Sequence, residues 1–322
     1  MKYLLSIFGV LLLSACQQME SKRTLVLAHS LPITHPVHRG IEDFRDLAAT
    51  FSNGSIQIKI YPDGQLGSER EVVELLQIGS IDITKVSAAV MANFSPSYQV
   101  LSLPYIFRDD AHRFAVLQGP TGKEILEGGE EFWLRGLTFY DAGNRSFYTK
   151  GRAINSPQDL KGLKIRVMND QTSINLVNAL GGSATPMPYG ELYTALQQGV
   201  VDGAENNPPS FITSRHFEVC KYYTLDQHSG IPDVLVIGTK AWDRLSEQEQ
   251  EWLQMAADSS FQNQKRYWAE SVEECMETLR EAGVEVTRPE TSPFYEATKS
   301  VREEVAKDPE LKRLVQQIQS QQ

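Results

Sequence analysis

The order of elements between Arg23 and Ser87 most constrains what this chain can fold into. "RTLVLAHS" reads as a strand ending at His29. "HPVHRGIEDFRDLAATFSNG" follows as a helix closed by Gly54. "SIQIKIYPDG" alternates cleanly, with Ile56, Ile58 and Ile60 on one face. "SEREVVELLQIGS" is a helix with Ser68 as its cap, Glu71 three residues on, and Gly79 as its stop. "IDITKVS" is the next strand. Strand, helix, strand, helix, strand implies a parallel sheet with right-handed crossovers.

The pattern recurs in the second half. "GLTFYDAGN" is a strand, and "RSFYTKGRAI" reads as a strand leaving the first lobe. In "LKGLKIRVMNDQ", Leu163, Ile165 and Val167 point one way, and Lys164, Arg166 and Met168 the other. The first set is a core face. The second puts Arg166 either in water, where most arginines sit, or in a binding site. "DQTSINLVNALGG" and "GELYTALQQGVVDGAEN" supply two more helices and a short strand. The expected architecture is α/β with two lobes and a ligand cleft between them. Residues 24–143 plus 232–271 form lobe I, and 144–231 plus 272–322 form lobe II. In open parallel sheets, ligands sit outside the carboxyl ends of the strands, where His29, Ser87, Arg166 and Asn206 fall. From Leu245 to Gly283 there is no proline or earlier glycine, Ser246 and Glu249 form a capping box, and Trp268, Val272, Met276 and Leu279 keep helical spacing. The reading is one helix spanning both lobes, or two meeting near Asp258-Ser259-Ser260.

Tyr3 to Leu13 is an uncharged stretch too short to span a bilayer and right for a signal-peptide apolar region. It runs into "LLSAC", which resembles a bacterial lipobox: residues 1–15 are removed, and Cys16 is lipidated and anchors the chain to a membrane. Plain secretion with cleavage near Ala15 is the alternative. Of the 31 basic and 41 acidic residues, cleavage removes only Lys2, which changes the formal charge from −10 to −11. Such a chain does not attract nucleic acid or anionic lipid in general. An anion must be held by a few local arginines. Cys220 and Cys275 allow one disulfide or none.

Signatures of catalysis fail on inspection. In "QGPTGKE" the glycines stand too close for a phosphate loop, and Glu124 replaces the required Ser or Thr. "GGSAT" lacks the last glycine of a nucleophile elbow. His29, His35 and His38 fall close together, but no Cys, Asp or Glu joins them at metal-ligand spacing. No metal or cofactor is expected.

Several stretches together carry a family resemblance. "YPDGQLGSEREVVELLQIGSIDIT", "INSPQDLKGLKIRV", "ATPMPYGELYTALQQGVVDGAENN" and the lipobox closely resemble the DctP-type solute receptors of TRAP transporters. The resemblance runs from about Arg23 to about residue 300. It implies a two-lobe periplasmic-binding-protein fold of class II type. It also implies a periplasmic or envelope location, a monomer, and a sodium-coupled membrane permease as partner. It places Arg166 in the cleft as the carboxylate-pairing arginine, beside Met168. It puts a second arginine at Arg145, an asparagine at Asn206, an acidic residue at Glu69 and an aromatic wall at Tyr189. Where relatives often carry an acidic residue, this chain has Ser87.

The ligand class follows from the opposite wall. A guanidinium fork matches a carboxylate in a way lysine cannot copy. Facing it are His29, Ser30, Glu69, Ser87 and His35. An ionised Glu69 accepts hydrogen bonds from hydroxyls and repels a second carboxylate, unless it only occupies the first helical turn for its dipole. The expected ligand is a hexuronate or similar sugar acid. A C4-dicarboxylate or other organic acid, or a sensory rather than transport role, is the alternative. A periplasmic enzyme lacks a visible catalytic constellation.

Overall fold

The computed structural model describes residues 22–321. Cys16 and the expected signal segment 1–15 lie outside the described residues. The strands are β1 (Arg23–Ala28), β2 (Ile56–Tyr61), β3 (Ile83–Ser87), β4 (Leu134–Tyr140), β5 (Arg145–Thr149), β6 (Lys164–Val167), β7 (Ser183–Pro186), β8 (Gly203–Asn206), β9 (Tyr222–Ser229), β10 (Asp233–Gly238) and β11 (Glu285–Thr287). They form two sheets. The first has the order β2-β1-β3-β10-β4 and the second β11-β9-β5-β8-β6-β7.

The periodicity of the first ninety residues is realised directly. β1 pairs in parallel with β2 and β3, with helices Pro36–Phe51 and Glu69–Ile78 as the crossovers. The capping box at Ser68 and Glu71 and the left-handed Gly79 stop are both present. β10 then inserts antiparallel between β3 and β4, so the sheet is mixed. The chain enters the second lobe between Tyr140 and Arg145 and returns between Ser229 and Asp233.

The long helix runs unbroken from Glu247 to Glu281, through Asp258-Ser259-Ser260. Leu253, Ala257, Phe261 and Trp268 pack into the first lobe's core, and Leu279 packs into the second's. Midway, Gln264 is buried and grips the first crossing segment. Its Oε1 accepts from the Asp141 N–H and its Nε2 donates to the Asp141 carbonyl, both at 2.8 Å. Gly40 makes this close approach possible, since a Cβ there would lie 2.6 Å from Gln264 Cβ.

Two expectations need correction or closure. The segment 272–322 does not stay with the second lobe. The final helix, Pro309–Ser320, buries Leu311, Leu314 and Ile318 in the core that holds Val100, Leu101 and Val116. His112 bonds the Ile318 carbonyl at 2.8 Å, and Arg108 bonds those of Gln319 and Gln321. The 3, 4 spacing of its apolar residues makes a stripe that needs a partner, and the first lobe provides it. Cys220 and Cys275 are both buried free thiols.

Candidate functional site

A cavity of about 400 Å³ lies between the lobes, within the range of small-molecule sites. Ser87 and Asn206 end β3 and β8, and both line it. The alternation of β6 resolves the question of Arg166. Ile165 and Val167 are in the core, Lys164 is exposed, and Arg166 turns into the cleft while remaining only 2% exposed. Its Nε and Nη2 donate to the Met187 carbonyl at 3.0 and 2.8 Å. Its carbon Cζ sits 5.8 Å from the centre of the Tyr189 ring. Nη1 is buried and has no partner among the described residues. Burial pulls the Arg166 pKa below its ordinary value, but a guanidinium remains charged. It is therefore a buried cation with no carboxylate of its own.

Arg145 also lines the cavity, and four of its five N–H hydrogens are already engaged, which leaves one on Nη1 uncommitted. Nε and Nη2 hold the Glu205 carboxylate, Nη2 reaches the Glu205 carbonyl at 2.8 Å, and Nη1 donates to Asn206 Oδ1 at 2.9 Å. Behind it, His228 bridges Glu205 at 3.5 Å and Asp226 at 2.8 Å. Burial alone would lower the His228 pKa. The two carboxylates overcome this and raise it to about 9. Burial works against the Glu205 carboxylate too, but Arg145 and His228 lower it to about 2. Arg145 therefore shapes the wall and orients Asn206. Asn206 Oδ1 accepts from both Arg145 and the Asn207 N–H, so its amide presents the Nδ2 donors to the cavity it lines.

The opposite wall has a centre that the sequence reading missed. Lys85, 2% exposed, donates from Nζ to Glu69 Oε1 at 3.0 Å and to Asp233 Oδ1 at 3.2 Å. Glu69 is thus not a free acceptor. It also takes the Ser30 hydroxyl and the Ser87 N–H, each at 3.4 Å. Burial raises the Asp233 pKa, and Lys85 partly offsets this. A signal for Lys85 was present in the alternation: Ile83, Lys85 and Ser87 share one face, and Ser87 was already placed in the cleft. Asp233 begins β10, a buried strand without alternation, and carried no such signal. Ser30, Ser87, Met168 and Tyr189 all line the cavity.

The histidines divide. His29 does not line the cavity, which corrects its expected role. Its Nδ1 accepts from the Leu31 N–H at 3.2 Å, so its Nε2 donates to His38 Nδ1 at 2.9 Å, and burial lowers its pKa to about 2. His35 does line it. Its Nδ1 caps the helix at Val37 N, and its Nε2 reaches Ser210 Oγ of the second lobe at 3.1 Å. The lobes are therefore drawn together in this structure. Among the described residues, no three His, Cys, Asp or Glu gather as a metal site, and no helix is long and apolar enough to cross a membrane.

Residues 27–308 match the family described as DctP, bacterial extracellular solute-binding protein, family 7. The chain belongs to this family. As a DctP protein it is the solute receptor of a TRAP transporter, with the two-lobe α/β fold of its relatives. The uncharacterized protein YiiZ of Salmonella typhimurium is 38% identical, covering 84% of this chain and 83% of that protein. A TRAP periplasmic solute-binding protein from a Bradyrhizobium species, in complex with α/β-D-galacturonate, superposes with a TM-score of 0.90. It is 40% identical and covers 92% of this chain and 99% of that one. A counterpart from Roseobacter denitrificans, with bound β-D-glucuronate, has a TM-score of 0.91 at 34% identity, covering 93% and 100%.

Proposed function

We propose that this DctP receptor binds a hexuronate, with galacturonate and glucuronate as the leading candidates. The observation that carries the reading is the cleft's division of charge. On one wall, Arg145 and His228 are paired with Glu205 and Asp226, while Arg166 lines the cavity with no carboxylate bonded to it and its Nη1 without a partner among the described residues. On the other, Lys85 faces Glu69 and Asp233, a net of −1. One cationic end and one end rich in hydroxyl partners suit an acid with a single carboxylate. A dicarboxylate would bring its second charge to the anionic wall. The ligand carboxylate docks on Arg166 Nη1 and the remaining Nη2 hydrogen, with Asn206 Nδ2 beside it. The uronates bound by the superposed relatives support the same class. The direct test is calorimetry and thermal shift with galacturonate, glucuronate and succinate. A true ligand raises the melting temperature by mass action. Stabilisation by succinate without stabilisation by either uronate would reverse the assignment.

The role is binding and delivery to the permease rather than turnover. His35 and Ser210 resemble half of a hydrolytic pair, but His35 Nδ1 accepts from Val37. Neutral His35 therefore carries its hydrogen on Nε2 and donates to the hydroxyl, the reverse of what a general base needs. We further propose a monomer held at the membrane through lipid on Cys16. Cys16→Ser should move the protein from the detergent phase to the aqueous phase on partitioning. An aqueous wild type would show plain secretion.

A further inference from the structure

The hexuronate reading leaves one question open: what recognises the sugar end of the ligand? The expected answer, Glu69, is engaged by Lys85, Ser30 and Ser87. Two neighbours are not. Lys85 has three N–H hydrogens, and the chain takes two of them, one to Glu69 and one to Asp233. Asp233 accepts through Oδ1 only, and Oδ2 has no partner among the described residues. Oδ2 is not fully buried, and the residue lines the cavity. Lys85 and Asp233 both line the cavity, each with one hydrogen-bonding position that the chain leaves over.

We propose that Lys85 and Asp233 form a hydroxyl-recognition subsite that sets the specificity of the receptor. This rests on the hexuronate reading. A hydroxyl both accepts and donates. Its oxygen takes the third Lys85 hydrogen, and its own hydrogen goes to Asp233 Oδ2. A carboxylate in the same place can use Lys85 but has nothing to give Asp233, and it meets a wall with one uncompensated negative charge. Glu69 is the positioning residue. At the first turn of its helix it holds Lys85 from one side, and Asp233 holds it from the other. The lysine, only 2% exposed, is fixed in one direction before the ligand arrives, so little side-chain freedom is lost on binding.

A purely structural role is the competing account. Lys85 on β3, Asp233 on β10 and Glu69 on the helix Glu69–Ile78 would then be an ion-pair brace between three elements. Stability alone does not separate the two accounts, but selectivity does. Galactonate and galactarate differ only at one terminus, which is a hydroxyl in the first and a second carboxylate in the second. Affinities for galacturonate, galactonate and galactarate are measured by calorimetry on wild type and Asp233→Asn, which keeps the shape and removes the charge. Asp233→Ser is the second variant should the asparagine protein not fold. The subsite predicts that the variant loses tenfold or more in galacturonate affinity. It also predicts that the galactonate-over-galactarate preference shrinks by a similar factor. A folded variant that binds galacturonate within threefold of wild type, with its preference unchanged, overturns the subsite and leaves the brace. A wild type that binds no uronate overturns the hexuronate reading itself, and the subsite falls with it.

Discussion

Removing Arg166 should abolish tight binding and also disturb the apo protein. Two of its five N–H hydrogens, on Nε and Nη2, go to the Met187 carbonyl, which leaves both Nη1 hydrogens and one on Nη2 for the ligand. In the closed cleft the ligand carboxylate is desolvated and paired with this remaining edge. Truncating one partner of such a pair costs on the order of 2–5 kcal/mol. At about 1.4 kcal/mol per tenfold, that is roughly 30-fold to a few thousandfold in Kd. Arg166→Lys should recover only part of the loss, because a point charge cannot both hold the Met187 carbonyl and fork onto a carboxylate. The apo protein should also lose about 1 kcal/mol, since the Met187 carbonyl is left without its donor. The assay is calorimetric titration with galacturonate, with apo melting temperatures for wild type, Arg166→Ala and Arg166→Lys. If Arg166→Ala is folded and binds within threefold of wild type, the carboxylate is held elsewhere and the argument fails.

Three further outcomes follow from the same geometry. His228 has its pKa raised to about 9, so its stabilisation is complete below the ordinary histidine value of about 6.5 and lost as pH rises through 9. A shift of that size corresponds to about 3 kcal/mol. Stability should therefore fall between pH 6.5 and 9, and chemical denaturation of His228→Gln should show a flatter curve there. His35 is pushed well below its ordinary value, chiefly by burial, and its neutral form makes the bond to Ser210 across the cleft. Opening the cleft hydrates it, so acid below pH 6.5 should favour the open form and weaken ligand binding in titrations at pH 5 relative to pH 7.5. An affinity that does not change would show the bond contributes nothing to closure. Finally, Gly40→Leu should overpack the contact with Gln264 and cost about 1–3 kcal/mol, measured as a lower melting temperature.

Local order and chemistry were legible wherever a period carried them. The parallel order of β1, β2 and β3, the capped helices and the 35-residue helix follow from spacings of 2 and 3.6 residues and from turn residues acting within a few positions. Arg166 was readable because a strand's alternation sets its direction, and the flanking core residues left it only the other face. Distant pairing could not be read this way. The final helix shows an apolar stripe but not which lobe will cover it, and only packing sends Leu311, Leu314 and Ile318 to the first. Arg145 and Glu69 line the cavity, yet what they offer a ligand depends on partners 60 and 16 residues away, Glu205 and Lys85. His29 stands just past a strand end like a ligand-binding residue, and the ring of His38 takes it out of the cavity. A side chain's position follows from its own neighbours in the chain. Whether its charge is free for a ligand depends on which other charges the fold brings within about 3 Å, a hydrogen-bond distance, and those come from other strands.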